Sequence, residues 1–123
     1  MAQITLEGSN RRILMPDGTY LRYDGGGDGS SWIRIYGLTI MSGKIAVNGD
    51  TTVTFPYSFP NACIVVIASE GGPSGWAWGD VTIFGRYSAS TTSCVIRGRR
   101  KLNGDTGNFQ NSGITANWVA LGY

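Results

Sequence analysis

Histidine is absent from the 123 residues, and that absence closes several routes to chemistry at once. Ser/His/Asp and Cys/His triads need an imidazole base, and zincin sites and histidine-bound iron or zinc centres need it as a ligand. The 2 cysteines cannot build an all-cysteine zinc site within one chain. Charged residues are scarce at 15%, against an ordinary quarter, which argues against helix bundles and coiled coils. A net charge of +2 lacks the basic excess of a nucleic-acid surface, so no nucleic-acid partner is expected. Long apolar runs are missing too. The longest, Ala62 to Ala68, falls far short of the roughly 20 residues of a bilayer span, so no membrane insertion is expected. Residues Met1 to Glu7 carry neither the basic nor the hydrophobic region of a signal peptide, which points to synthesis and assembly in a cytoplasm.

What the chain has in quantity is glycine, 19 of 123 residues, roughly twice ordinary usage. Hydrophobic residues at 41% and aromatics at 11% supply a modest core. Apolar positions alternate over short stretches, and the breaks between them carry Gly, Pro, Asn and Asp, which predicts strands and no helix. Ala2, Ile4 and Leu6 share one face of an opening strand; strands at 11–15 and 19–23 follow, joined by the turn Pro16-Asp17-Gly18. Gly25 to Ser31 reads as a loop or hinge. Further strands are expected at 32–36, 38–41 and 44–47, and Asn48-Gly49 before the run 51–55 is a strong hairpin signal. The run 62–69 is apolar on both faces, which predicts a central strand between two layers. Strands 81–88 and 93–98 form a hairpin across Ala89 to Thr92, and 114–121 closes the chain. Together these predict an all-β sandwich or barrel. Cys63 and Cys94 lie in apolar settings that favour buried free thiols over a disulfide. Segments 70–80 and 98–113 lack regular alternation and read as long loops of the functional kind. Residues 1–43 offer few large apolar side chains per strand, so they must pack on the remainder or be completed by other subunits.

The chain after residue 43 resembles the C-terminal domain of bacteriophage tail fibres and of the tail fibres of contractile bacteriocins. The resemblance rests on Gly43-Lys44-Ile45, on Val53-Thr54-Phe55-Pro56-Tyr57-Ser58-Phe59-Pro60-Asn61-Ala62, and on the terminal Ala116-Asn117-Trp118-Val119-Ala120-Leu121-Gly122-Tyr123. It implies an all-β, homotrimeric fibre tip on the virion, with a short β shaft over 1–43 leading into a β-sandwich or knob over 44–123. The implied partners are an upstream shaft or baseplate component and the bacterial surface; no catalytic activity and no cofactor are implied. Such fibres are generally longer, so the chain is expected to be a fragment of one or a short fibre protein attached to another component. The missing histidines set it apart from fibre needles that hold iron through paired histidines, leaving packing and β pairing to stabilise the trimer.

Pro56 and Pro60 hold an extended entry to the following strand. Phe55, Phe59, Trp118 and Tyr123 are expected in the core or the trimer seam, where a held terminus would not fray. Trp76 and Trp78 sit among glycines; two indoles at that spacing make an apolar platform suited to sugar rings, or else cap the trimer core. Arg97, Arg99, Arg100 and Lys101 form a basic cluster, either a solvated strand end or a fork for phosphate and carboxylate groups of lipopolysaccharide. Asn103, Asn108, Gln110 and Asn111, with Phe109 among them, offer sugar-binding donors and acceptors or simple turn formers. Asp24 and Asp28 are too few for a calcium repeat, and Glu7 and Glu70 make no recognisable acid pair. These residues predict adhesion to a cell-surface glycan, lipopolysaccharide or capsule, by several weak sites on one axis. The alternatives are a trimerisation cap without recognition and a polysaccharide depolymerase.

Overall fold

A computed structural model describes residues 5–7, 12–14, 16, 20–25, 31–35, 37–71, 81–111 and 113–123. Within them the chain forms strands and turns: β1 (Thr5–Glu7), β2 (Arg12–Leu14), β3 (Tyr20–Gly25), β4 (Ser31–Ile35), β5 (Leu38–Asn48), β6 (Asp50–Thr54), β7 (Cys63–Glu70), β8 (Val81–Ala89), β9 (Ser93–Lys101), β10 (Gln110–Asn111) and β11 (Gly113–Gly122). They make two antiparallel sheets. The larger has the order β1-β2-β3-β4-β5-β11-β7, and in the smaller β9 pairs with β6, β8 and β10. The all-β expectation therefore holds.

The C-terminal strand is the spine of the larger sheet. β11 lies between β5, in register from Gly113 opposite Asn48 to Gly122 opposite Thr39, and β7. Its end is tied down: the amide of Tyr123 donates to the Ala62 carbonyl at 3.0 Å, and the amides of Asn61 and Ala62 donate to the Tyr123 carbonyl at 2.7 and 2.9 Å. Alternation along β11 sends Ala116, Trp118 and Ala120 into the space between the sheets, where they meet Met41 and Val47 of β5, Val53 of β6, and Cys94 and Ile96 of β9. Phe55 and Phe59 fill the same core from the β6–β7 connection, edge to face with centroids 5.2 Å apart. Each buried phenyl stabilises the fold by about 1.5–3 kcal/mol. The Trp118 ring lies flat enough on Gly43 that a Cβ there would stand 2.7 Å from Cζ2. Tyr57 stacks on Trp32 of β4 at 4.7 Å and accepts from Arg34 Nη1 at 3.4 Å, joining the proline segment to the N-terminal meander.

Several sequence expectations change. The two strands expected at 38–41 and 44–47 are one, β5, which crosses positions 43 and 44 without a break. Asn48-Gly49 is a corner between sheets and not a hairpin. β6 pairs with β9 in the smaller sheet and not with β5, and Gly49 makes the corner at φ +70°. β7 is an edge strand and not a central one. The hairpin of β8 and β9 forms across Ala89 to Thr92, closed by the Ser90 amide donating to the Ser93 carbonyl at 2.8 Å. Cys63 and Cys94 are free thiols, half-buried and buried. The turn residues Asp17 and Gly18, positions 26–30 and positions 72–80 lie outside the described residues.

The larger sheet is apolar on both sides. Register places Ile33 beside Ile40, Ile35 beside Leu38, Leu121 between Ile40 and Val65, and Val119 beside Ile67, all on the face turned away from Met41 and Trp118. Ile67 is 61% exposed there.

Candidate functional site

The outward face of the smaller sheet is chemically unlike that of the larger. Along β9 the residues Cys94, Ile96 and Gly98 point to the core, so Arg97, Arg99 and Lys101 share the outer side. Across the hairpin, Arg86 pairs with Ile96 and Ser88 with Val95, which leaves Tyr87 as the extra residue of a β-bulge. A bulge re-aims its side chain. The Tyr87 ring, 62% exposed, carries the Arg97 guanidinium over its face, 4.1 Å from the centroid. Such a cation–π contact at an exposed site contributes position more than stability.

Arg97 is held a second time by Asp50, its opposite residue on β6. Nε donates to Oδ1 and Nη2 to Oδ2, both at 2.7 Å, a fork-to-fork pair. Arg99 Nη2 stands 3.6 Å from Asp50 Oδ1, while its Nη1 donates to the Gly98 carbonyl at 3.0 Å. The hydrogen bond from Arg97 holds the Asp50 carboxyl below its ordinary value, desolvation opposes, and the charges of Arg97 and Arg99 add to the lowering. The same bond raises Arg97. Asp50 is thus a fixed carboxylate that orients two guanidinium groups.

These side chains border an open groove of about 550 Å³. Its floor is Gly85, opposite Arg97, where an added Cβ would meet nothing within 4 Å. Ile83, Arg86 and Tyr87 of β8, Arg97 and Arg99 of β9, and Asn108 and Phe109 of the 102–109 loop complete the lining. Arg86 also ties the sheets together, Nη1 donating to the Ile64 carbonyl at 3.1 Å. The loop is shaped by Gly104 at φ +80° and by Gln110 Nε2 donating to Asp105 Oδ2 at 3.2 Å.

The groove therefore gathers Arg97, Arg99, Asn108 and Phe109 of the sequence candidates. Arg100 is separated from Arg99 by strand alternation: it takes the inward side, and its Nε is buried without a hydrogen-bond partner. Lys101 lies half-buried opposite Val81 and Asn103 is exposed in the loop, neither lining the groove. Trp76 and Trp78 lie outside the described residues. Phe55, Phe59 and Trp118 are buried in the core, while the Tyr123 side chain is half-exposed. Sequence reasoning missed Ile83, Gly85, Arg86, Tyr87 and the orienting role of Asp50. Alternation in 81–86 was a usable signal for Ile83, but the bulge at Tyr87 left none. Among the described residues no three His, Cys, Asp or Glu side chains gather where they could hold a metal ion.

The comparisons with known proteins that find a match agree. The sequence profile of the family described as tail fiber protein gp53-like, C-terminal, matches residues 23–123, starting upstream of the terminal resemblance. No curated protein matches the chain. Among solved structures, the N-truncated R2-type pyocin tail fibre is similar at 26% identity and TM-score 0.62 over 88% of this chain. The R2 pyocin fibre of P. aeruginosa is similar at 26% and 0.61 over 88%, and the N-truncated R1-type pyocin tail fibre at 26% and 0.58 over 82%. The chain spans 40%, 28% and 85% of those three structures respectively.

Proposed function

The chain belongs to the gp53-like tail-fibre C-terminal family, and from that premise we propose that it is the receptor-binding tip of a phage or bacteriocin tail fibre. It adheres to a bacterial surface polysaccharide, lipopolysaccharide or capsule, and it acts by binding, without catalysis. Its place is on the particle, joined to an upstream fibre component, with residues 1–43 as the end of the shaft. The observation that carries this reading is the groove between Tyr87, Phe109, Arg97 and Arg99. Aromatic faces suit the C–H patches of sugar rings, and planar cations and amides suit their polar substituents. None of the described lining residues is Asp or Glu, so they offer no acid pair for glycoside hydrolysis.

The test is binding of the labelled protein to isogenic bacterial strains with defined surface-polysaccharide deletions, beside Tyr87→Ala and Arg99→Ala variants. Adhesion predicts binding that depends on one polysaccharide, a loss of at least tenfold in each variant, and no new reducing ends in the cell wash. A second reading, a trimerisation cap without recognition, draws on the apolar outer face of the larger sheet; it predicts that both variants bind cells as the parent does.

A further inference from the structure

We propose that the groove on the smaller sheet selects a sugar residue bearing an oxyanion, a carboxylate or a phosphate, over neutral sugars. The inference rests on the adhesion reading and narrows it to a ligand class. Two guanidinium groups, Arg97 and Arg99, share the outer side of β9 with the groove, and none of the described residues lining it is acidic. Asp50, at its margin, is already engaged by Arg97 at 2.7 Å and faces Arg99 at 3.6 Å. One carboxylate balances one cation, and the remaining positive charge faces the opening. Both arginines are pre-set by the protein: Arg97 by Asp50 and Tyr87, Arg99 by the Gly98 carbonyl. Binding an anion there orders little that is not already ordered, which is the main way a small site gains affinity.

The ligand is a sugar and not a bare ion because the cations are interleaved with Ile83, Tyr87 and Phe109, surfaces an inorganic anion would leave unused. The volume, about 550 Å³, is within the range of pockets that hold small organic ligands. Arginine supplies every cation of the described lining, and a planar fork matches a carboxylate or phosphate edge where a lysine would present only a point charge. A nucleic acid is disfavoured, since a phosphate polymer asks for an extended basic track and the whole chain carries +2.

The experiment titrates the full chain, labelled with nitrogen-15, against four probes: methyl glucuronide, glucose 6-phosphate, methyl glucoside and inorganic phosphate. One or both anionic sugars should shift the Arg97 and Arg99 Nε–H signals, with apparent affinity at least tenfold above that for methyl glucoside and for inorganic phosphate. The uronide and the sugar phosphate separate the two sources of the oxyanion. Arg99→Gln should lower the affinity at least tenfold. Gly85→Leu, which fills the floor from open space, should abolish the shifts with an unchanged circular dichroism spectrum. Equal affinity for methyl glucoside, equal affinity for inorganic phosphate, shifts confined to residues outside the groove, or equal displacement by a short oligonucleotide would each overturn the proposal. Binding of cells that persists in Gly85→Leu would sink this inference and leave adhesion standing; failure to bind any polysaccharide-bearing strain would sink the adhesion reading itself.

Discussion

Burial pushes the Cys94 thiol up from 9.0 to about 11, with the charge of Cys63 adding to the effect and Arg86 opposing it. In the unfolded chain that thiol ionises near 9.0, whereas the folded chain keeps the proton until about 11. The unfolded state binds fewer protons through that window, so stability falls as pH rises across it. At about 1.4 kcal/mol per unit, the loss from this residue reaches about 2 kcal/mol by pH 10.5. Urea unfolding at pH 8 and pH 10.5 checks it: the drop in the parent should exceed that in Cys94→Ala by about that amount, and equal drops would refute it. A second contrast separates two glycines. A Cβ on Gly122 would collide with the Ala62 carbonyl and the Phe59 ring, whereas one on Gly85 meets nothing. Gly122→Ala should cost about 3 kcal/mol, since neither the backbone carbonyl nor the packed ring can yield freely. Gly85→Ala should stay within about 0.5 kcal/mol of the parent. Thermal melts of the two variants decide it. The aromatic-proline stretch announced its core residues in sequence because Phe55 and Phe59 are large and apolar beside conformationally fixed prolines; the clearance around Gly85 had no such sign.

Strands were legible where one face is apolar and the other polar, as in β9, because alternation encodes that arrangement directly. β7 misled for a physical reason. Apolar residues on both faces mean contact on both faces, and the sequence cannot say whether the second contact is another layer of the same chain. Asn48-Gly49 misled differently: the pair specifies a left-handed turn, which Gly49 makes at φ +70°, but where the next strand pairs is decided by a partner distant in sequence, here β9. That corner is a feature of the fold and should be sensitive. Gly49→Ala combines an unfavourable backbone angle with a contact 3.0 Å from Asn111 Nδ2, and is expected to destabilise by about 1–2 kcal/mol, measurable as a shifted urea midpoint at unchanged slope. The groove was half legible. The basic cluster stood out, but which arginines share a face depended on the strand's phase, and the Arg97–Asp50 pair joins residues 47 apart in sequence.

The two outer surfaces divide the molecule's work. The smaller sheet turns arginines and aromatics outward; the larger turns out Ile33, Ile40, Val119 and Ile67. Contiguous exposed apolar surface of this kind marks an interface. In the homotrimer that the tail-fibre resemblance implies, its position opposite the groove would let three copies meet through their larger sheets and present three grooves around one axis. Ile67 tests this without disturbing the core, because 61% of it is exposed in the single chain and Val66, its neighbour on β7, faces inward. Ile67→Arg places a charge in that implied seam, where an unpaired cation would have to be desolvated three times over. The expected result is a trimer-to-monomer shift in sedimentation with the β circular dichroism spectrum retained. Affinity of each groove for a single saccharide should not change, since β8 and β9 lie on the other sheet. Adhesion to cells should fall by two orders of magnitude or more, because the second and third contacts lose their effective concentration. A variant that remains trimeric would place the seam elsewhere. One that becomes monomeric yet adheres undiminished would show that a single groove suffices, and that the fibre's symmetry serves assembly and not avidity.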